Sequence, residues 1–384
     1  MKLLERVEEI MKEQEYEQET NPVIVANGAL NTLVDYVEDQ PIMTILLVVD
    51  EQTFTAAGKE LEQKLRDKGL KPLVHCLLPN AHGDVIADEQ TIVDVLIQVT
   101  PHVDCLVAVG SGTIHDVVRF VSAKIEKPFI SCPTAPSVDG FNSKGAPVIV
   151  KGIKTTYQTT APVALFADLS ILAQAPIELI AAGFGDMIGK YTSLTDWQAG
   201  RMIADEPFNQ EVYQLTKVAL DACVKHAEAI GNREFEGIEA LMNALLVSGT
   251  AMSIFGASHP ASGAEHHLSH YWEMTYLEEN KKQLLHGAKV ARASLIITQF
   301  YKEIVRTSLL EEPTTEKNEL VELINQLPEP AEMSKLLKVA GWHPEQAPID
   351  EELIQLSLLK AYHLRDRWTL LRYYHETLHW VPDL

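Results

Sequence analysis

Up to residue 172 the chain alternates short apolar runs with amphipathic stretches. PVIVA (22–26), MTILLVVD (43–50), LVHCLLP (73–79), DCLVAVG (104–110), KPFISCPT (127–134) and ALFADLSIL (164–172) are the apolar runs. Between them, residues 30–38, 53–68, 88–100 and 115–125 place apolar side chains at helical spacing, as do residues 1–18. Strands separated by helices predict βαβ units and a parallel sheet. Runs such as LLVVD, CLVAVG and FISCPT do not alternate, which is expected of strands covered on both faces.

The pattern changes near residue 165. Helical periodicity then dominates, over 176–204, 207–230, 235–256, 260–277, 281–304, 315–326, 330–339, 349–359 and 363–376. The segment 309–318, LLEEPTTEKN, reads as an exposed acidic loop. A chain of 384 residues is long for one domain. The expectation is an N-terminal α/β domain over residues 1–170 that binds a dinucleotide. An all-helical domain for metal and substrate follows over 171–384, the boundary falling near 165–176.

Composition narrows the function. A hydrophobic fraction of 46% with 22% charged residues belongs to a globular protein with a real core. A formal net charge of −22 argues against nucleic acid and anionic membrane as partners. It also means that an anionic substrate needs local cations. No apolar stretch reaches the roughly 18 residues of a membrane span. The charged first residues lack a signal-peptide core, so the cytoplasm is the expected location. Cys76, Cys105, Cys132 and Cys223 form no CxxC pair and read as buried, reduced thiols.

Candidate chemistry appears at the strand ends. After DCLVAVG come Gly110, Ser111, Gly112 and Thr113, then a helix from His115. Small residues at a strand-to-helix turn let backbone N–H groups approach a phosphate, although a tight turn without a ligand has the same sequence. Asp50 ends MTILLVVD, where an acid accepts hydrogen bonds from an adenosine ribose and repels a 2′-phosphate. A solvated strand-end acid is the alternative. The loop Thr134-Ala135-Pro136-Ser137 follows a third strand. Three such loops on one sheet edge favour a dinucleotide.

The helical half offers metal ligands. Gly185-Asp186 is read as opening a helix, SGAEHHLSH carries His266, His267 and His270, and LLHGAKVA carries His286. A carboxylate and two imidazoles from three helices would make a site with open positions for a Lewis acid. His266 and His270, at i and i+4, are a rival ligand pair that leaves His286 uninvolved. His267 reads as a polar surface residue.

GSGTIHD, CPTAPSVDGFNSKGAP, GFGDMIGKYTSLTDW, SGAEHHLSH, LLHGAKVA and RDRWTLL together resemble the sn-glycerol-1-phosphate dehydrogenases of the iron-containing alcohol dehydrogenase and glycerol dehydrogenase superfamily. The resemblance runs from about Val23 to about Tyr373 and is weakest around 310–350. It implies a Rossmann-like domain, a helical domain and a cleft between them. It implies reversible reduction of dihydroxyacetone phosphate to sn-glycerol 1-phosphate with NADH or NADPH, in phospholipid biosynthesis, by a homodimer. It carries over Asp186, His266 and His286 as metal ligands, with His270 beside the metal. Gly110, Ser111, Gly112, Thr113 and Asp116 would lie along the pyrophosphate and nicotinamide, Thr134 and Ser137 near the cofactor, and Asp50 at the ribose. Nickel or zinc is favoured, with ferrous iron or cobalt compatible with the same donors.

Two features point within the superfamily. Many relatives carry a fourth ligand, His, four residues after the Asp; here it is Lys190. One helical turn brings its ammonium toward Asp186, where a cation suits a phosphate monoester, unless it simply pairs with Asp186 or is solvated. Arg201 is a second candidate cation. Asp139, in VDGFNS, would hydrogen-bond substrate and lie beside the cofactor, and His270 would relay a proton. The rivals are a glycerol dehydrogenase acting on the unphosphorylated polyol, a 3-dehydroquinate synthase, and a non-catalytic sensor of nucleotide or sugar phosphate. Lys190 and the VDGFNS loop weigh against the first, and a sensor has no use for the metal set.

Overall fold

The computed structural model describes residues 20–311, 313–365 and 367–378; the expected helix at 1–18 lies outside them. Eight strands are present: β1 (Val23–Ala26), β2 (Thr44–Val49), β3 (Lys71–Cys76), β4 (Cys105–Gly110), β5 (Phe129–Pro133), β6 (Gly145–Val150), β7 (Ile153–Gln158) and β8 (Ala164–Asp168). Six of them form one sheet in the order β1-β8-β5-β4-β2-β3, and every pairing is parallel.

The non-alternating strands are covered on both sides. One face packs Ile45, Leu47, Val107 and Val109 against helix α1 (Ala29–Glu38) and helix α2, a helical run over 51–67 with a π-turn at Phe54–Gly58. The opposite face packs Leu46, Val48, Leu106 and Ala108 against α3 (Glu89–Gln98) and α4 (Gly112–Ile125). From β2 the chain crosses one face to β3; from β4 it crosses the other face to β5. The neighbours β2 and β4 therefore form the switch point, where crossovers diverge and leave a crevice at the C-terminal strand ends.

The β6–β7 hairpin was not among the expected elements. Only Ala146 and Val148 of β6 are buried, and β7 is largely exposed, so the alternation is weak. The turn did carry a signal. Lys151 and Gly152 both have positive φ, the geometry of a two-residue hairpin connection.

After β8 every described element is helical. The main ones are α5 (Ile177–Ile188), α6 (Lys190–Ala204), α7 (Gln210–Lys225), α8 (Phe235–Phe255), α9 (Ala264–Glu278) and α10 (His286–Phe300). Several boundaries differ from expectation. The helix after Gly110 starts at Gly112 rather than His115, and 176–204 is two helices meeting at Gly189. Most of 309–318 is not loop: helices Arg306–Glu311 and Thr315–Asn325 occupy it, and Leu309 is buried because it faces the core. Nor is 363–376 one helix. Residues 367–369 are non-helical and a helix resumes at Leu370–Tyr373. The Arg367 guanidinium holds this segment across α6 and the loop between α8 and α9 by donating to the carbonyls of Ser193 and His259.

Among the described residues one helix, α8, is long and apolar enough to cross a membrane by length and composition, contrary to the expectation of none. Its Ile238, Leu241, Leu245 and Val247 are buried in the largest core cluster. That cluster also takes in Phe141, Leu165 and Ala167 from the α/β half, so the apolar core runs across the join between the halves.

Candidate active site

Two glycines set the geometry. A Cβ on Gly287 would lie 1.8 Å from the Ala182 carbonyl oxygen, and one on Gly185 would lie 2.5 Å from the Gly287 carbonyl oxygen. Helices α5 and α10 thus meet backbone against backbone, a fit that only glycine permits. The contact places Asp186, in the last turn of α5 rather than at a helix start, beside His286, the first residue of α10. Helix α9 brings His266. Ligand atoms of Asp186, His266 and His286 lie within 4.8 Å of one another.

The surroundings suit a cation. His266 Nδ1 sits 2.7 Å from Glu265 Oε1, which makes Nδ1–H the donor and leaves Nε2 bare, 3.7 Å from Asp186 Oδ1. A carboxylate behind a ligating imidazole fixes its tautomer and raises its basicity. Glu265 is itself held by Thr192 Oγ1 at 2.6 Å and by the Gly263 N–H at 2.6 Å. Burial, then the charge of Lys190, holds His266 well below the usual imidazole range. Burial with Lys154 and Lys289 lowers His286 to about 3. Neutral imidazoles are the ligating form.

Lys190 reaches the site, as its spacing implied. Its ammonium is fully buried and lies 3.0 Å from Asp186 Oδ1 and 2.8 Å from Asp139 Oδ2. Burial opposes its charge, but Asp139 and Asp186 outweigh this and raise its pKa. Two of its three N–H donors are thus engaged. Asp139 also accepts from Ser248 Oγ at 2.8 Å, and its N–H donates to Asp186 Oδ2 at 3.1 Å. Arg201 is at the other end of α6, with its guanidinium 4.8 Å from the Phe208 ring centroid, and has no part in the site. His267 is buried rather than exposed, and burial lowers it to about 3.

His270 lies next to the ligand set, its ring centroid 6.1 Å from that of His286. Its Nε2 is 2.7 Å from Arg365 Nη2, so this nitrogen accepts. Burial, then Arg365, holds its pKa well below the ordinary value. His270 is therefore neutral and a weak base, with Nε2 engaged by Arg365 and Nδ1 facing Glu273 at 3.6 Å.

The sheet edge faces this cluster through the loop after β5. Ser111 caps α4 without a side-chain hydrogen bond, and the Val138 side chain packs against Gly112 in the first turn. Thr134 and Ser137 are buried in the next loop. Asp50 ends β2 next door. Its Oδ1 accepts the Thr53 N–H at 2.7 Å, which leaves Oδ2 for a ligand. Asp116, one turn into α4, pairs with Arg119 at 2.9 Å, while burial pushes its carboxyl up to about 7. Arg119, fully buried, also donates to the carbonyls of Gly145 and Phe141 and so clamps the 139–145 loop. Asn142 Nδ2 ties the same loop to α8 through the Leu246 carbonyl, 3.0 Å away. Glu265, Arg119, Ser248 and Arg365 were not anticipated. RDRWTLL and SGAEHHLSH contain Arg365 and Glu265, but nothing in the spacing singles them out.

Comparison with known proteins fits this geometry. The iron-containing alcohol dehydrogenase family model matches residues 24–176. A Geobacillus thermodenitrificans protein named glycerol-1-phosphate dehydrogenase [NAD(P)+] is 44% identical over 373 residues, covering 93% of this chain and 92% of its own. A Halalkalibacterium halodurans protein of the same name is 43% identical over 366 residues, 92% of each chain. The fold is that of an alcohol dehydrogenase from Oenococcus oeni, with TM-score 0.66 and 15% identity over 89% of this chain and 92% of that one. By sequence along nearly its whole length, the chain belongs to the glycerol-1-phosphate dehydrogenase family.

Proposed function

We propose that this protein is an NAD(P)-dependent enzyme that reversibly reduces dihydroxyacetone phosphate to sn-glycerol 1-phosphate. The observation that carries the reading is the convergence of Asp186, His266 and His286 from three helices, with Glu265 orienting His266, at the C-terminal edge of the sheet. These three would hold one divalent ion, nickel or zinc before iron or cobalt. Bound there, the metal supplies polarisation of the substrate carbonyl and NAD(P)H supplies the hydride.

The chain's own groups do the rest. The uncapped N-terminus of α4, at Gly110, Ser111, Gly112 and Thr113, would bind the pyrophosphate. Thr134 and Ser137 would line the nicotinamide side with Asp116, and Asp50 would accept from the adenosine ribose. On this reading residues 1–170 bind the dinucleotide and 171–384 the metal and substrate. Lys190 positions Asp139 and Asp186 through its two ion pairs, and its remaining N–H is available to a substrate oxygen. Asp139 accepts a substrate hydroxyl. His270 would relay the alcohol's proton once its Nε2 is released from Arg365. A homodimer in the cytoplasm is the expected setting.

The test is NADH consumption with dihydroxyacetone phosphate, before and after chelation and with single metals restored. Metal-dependent oxidation, much weaker with dihydroxyacetone, is expected. A preparation that binds NADH but oxidises it with neither substrate under any metal would sink the assignment.

A further inference from the structure

An anionic substrate on a chain of net charge −22 needs local cations, and Lys190 is held by two carboxylates. A second group of cations adjoins the ligand set. Lys289 stands one turn after His286 on α10, on the same helical face. Lys154 comes from β7, and Arg365 from the segment before the Leu370–Tyr373 helix. They gather around Glu273 and His270 of α9. Lys154 Nζ is 2.7 Å from Glu273 Oε1, Lys289 Nζ is 3.4 Å from Glu273 Oε2, and Arg365 Nη2 is 2.7 Å from His270 Nε2.

This cluster is under-compensated. Lys154, Lys289 and Arg365 share Glu273; Arg365 also faces Glu265, which is committed to His266, Thr192 and Gly263, and Asp116, whose field reaches Lys154, is paired with Arg119. Among the described residues, Lys289 Nζ is buried with no polar contact but its long ion pair to Glu273 Oε2, and neither atom has a further hydrogen-bond partner. A buried ammonium with a single long ion pair is costly unless a ligand completes it. The net positive charge of the three side chains suits a phosphate monoester, which carries about −1.5 to −2 charges at pH 7. The location matches too. A triose phosphate carries its phosphate one methylene and one ester oxygen from the carbonyl carbon, and residues one turn apart on a helix lie about 5–6 Å apart.

We propose that Lys154, Lys289 and Arg365 form the subsite for the phosphate of the substrate, with Glu273 and His270 holding them in position. The inference rests on dihydroxyacetone phosphate being the substrate. It moves phosphate recognition from Lys190 to the hairpin, α10 and the segment around Arg365, and it gives the β6–β7 hairpin a function. Burial pushes the Lys289 ammonium down to about 8, which fits a cation whose partner is a ligand.

The test compares kcat/KM for dihydroxyacetone phosphate with that for dihydroxyacetone in Lys289→Ala, Lys154→Ala and Lys190→Ala enzymes. Loss of one charge-assisted contact should lower the ratio by about tenfold or more in Lys289→Ala and Lys154→Ala. Lys289→Arg should restore part of it. Inorganic phosphate should bind the metal-free protein and bind it more weakly after Lys289→Ala. Should Lys289→Ala fail to fold, the Lys154→Ala variant, at a side chain 20% exposed, and the Arg365→Gln variant carry the same comparison. An unchanged ratio in folded Lys154→Ala and Lys289→Ala proteins, or a fall confined to Lys190→Ala, overturns the proposal. Absence of wild-type activity on dihydroxyacetone phosphate would instead remove the substrate assignment on which it rests.

Discussion

His115 lies inside the sequence that signals the dinucleotide loop, yet its environment is that of a core residue. Its Nδ1–H donates to the Ser111 carbonyl at 2.9 Å, and its Nε2 accepts from Ser131 Oγ at 2.8 Å. Burial, reinforced by Arg119, lowers it from 6.5 to about 3. Below pH 6.5 the unfolded chain therefore binds a proton that the folded chain refuses. The stability tied to this residue is complete above pH 6.5 and is lost progressively as pH falls toward 3, at up to about 1.4 kcal/mol per pH unit. Urea midpoints measured from pH 7 to 5 should fall, and His115→Gln should flatten that slope by one proton; an unchanged slope refutes the assignment. Glu265 makes a second prediction. Glu265→Gln should weaken metal binding by about 10–100-fold in a chelator competition, with NADH affinity retained. Asp186, His266 and His286 were visible in the sequence because their residue types are unusual among apolar helices. Glu265 was not, because neighbours at i and i+1 on a helix do not ordinarily face each other. Here Gly263 and Thr192 turn the carboxylate onto the adjacent ring.

At the scale of elements, the pairing of α5 with α10 determines whether the metal ligands meet. A methyl at Gly287 would enter the Ala182 carbonyl, so Gly287→Ala must push the helices apart. Overpacking of this kind costs about 1–3 kcal/mol. The variant should unfold at lower urea and bind metal more weakly, both effects arising from one displacement. A stable variant with normal metal affinity would show that the two helices do not set the site. The parallel strands were legible because burial on both faces leaves long apolar runs, as in TILLVV and CLVAVG. The β6–β7 hairpin was hidden because only one side of one strand is buried. The break before Leu370 was hidden for another reason. Two arginines and a tryptophan look helical in isolation, and only their distant partners, Ser262, His259 and Glu206, hold the chain extended.

The whole molecule does not divide as cleanly as its secondary structure. Strands stop at Asp168, but the largest apolar cluster joins Phe141, Leu165 and Ala167 to Ile180, Phe184 and Leu245. A fragment of residues 1–170 would leave that surface in water. It should aggregate, or show no cooperative thermal transition, where the full chain unfolds sharply; a monomeric, cooperatively folding fragment would contradict the shared core. The change near residue 165 was readable as a switch of period, whereas the packing across it was not, since period reports which face is buried and not against what.

The sheet order has a consequence for how the chain is made. Val23 pairs with Leu165, and Ala26 with Asp168, so the first described strand binds the last one of its sheet. At about 5–20 residues per second, a ribosome needs roughly 7–30 s to deliver that partner. Through this interval the nascent segment Val23–Ala26 travels with an unsatisfied backbone edge and apolar side chains, a target for chaperones that the finished protein no longer presents.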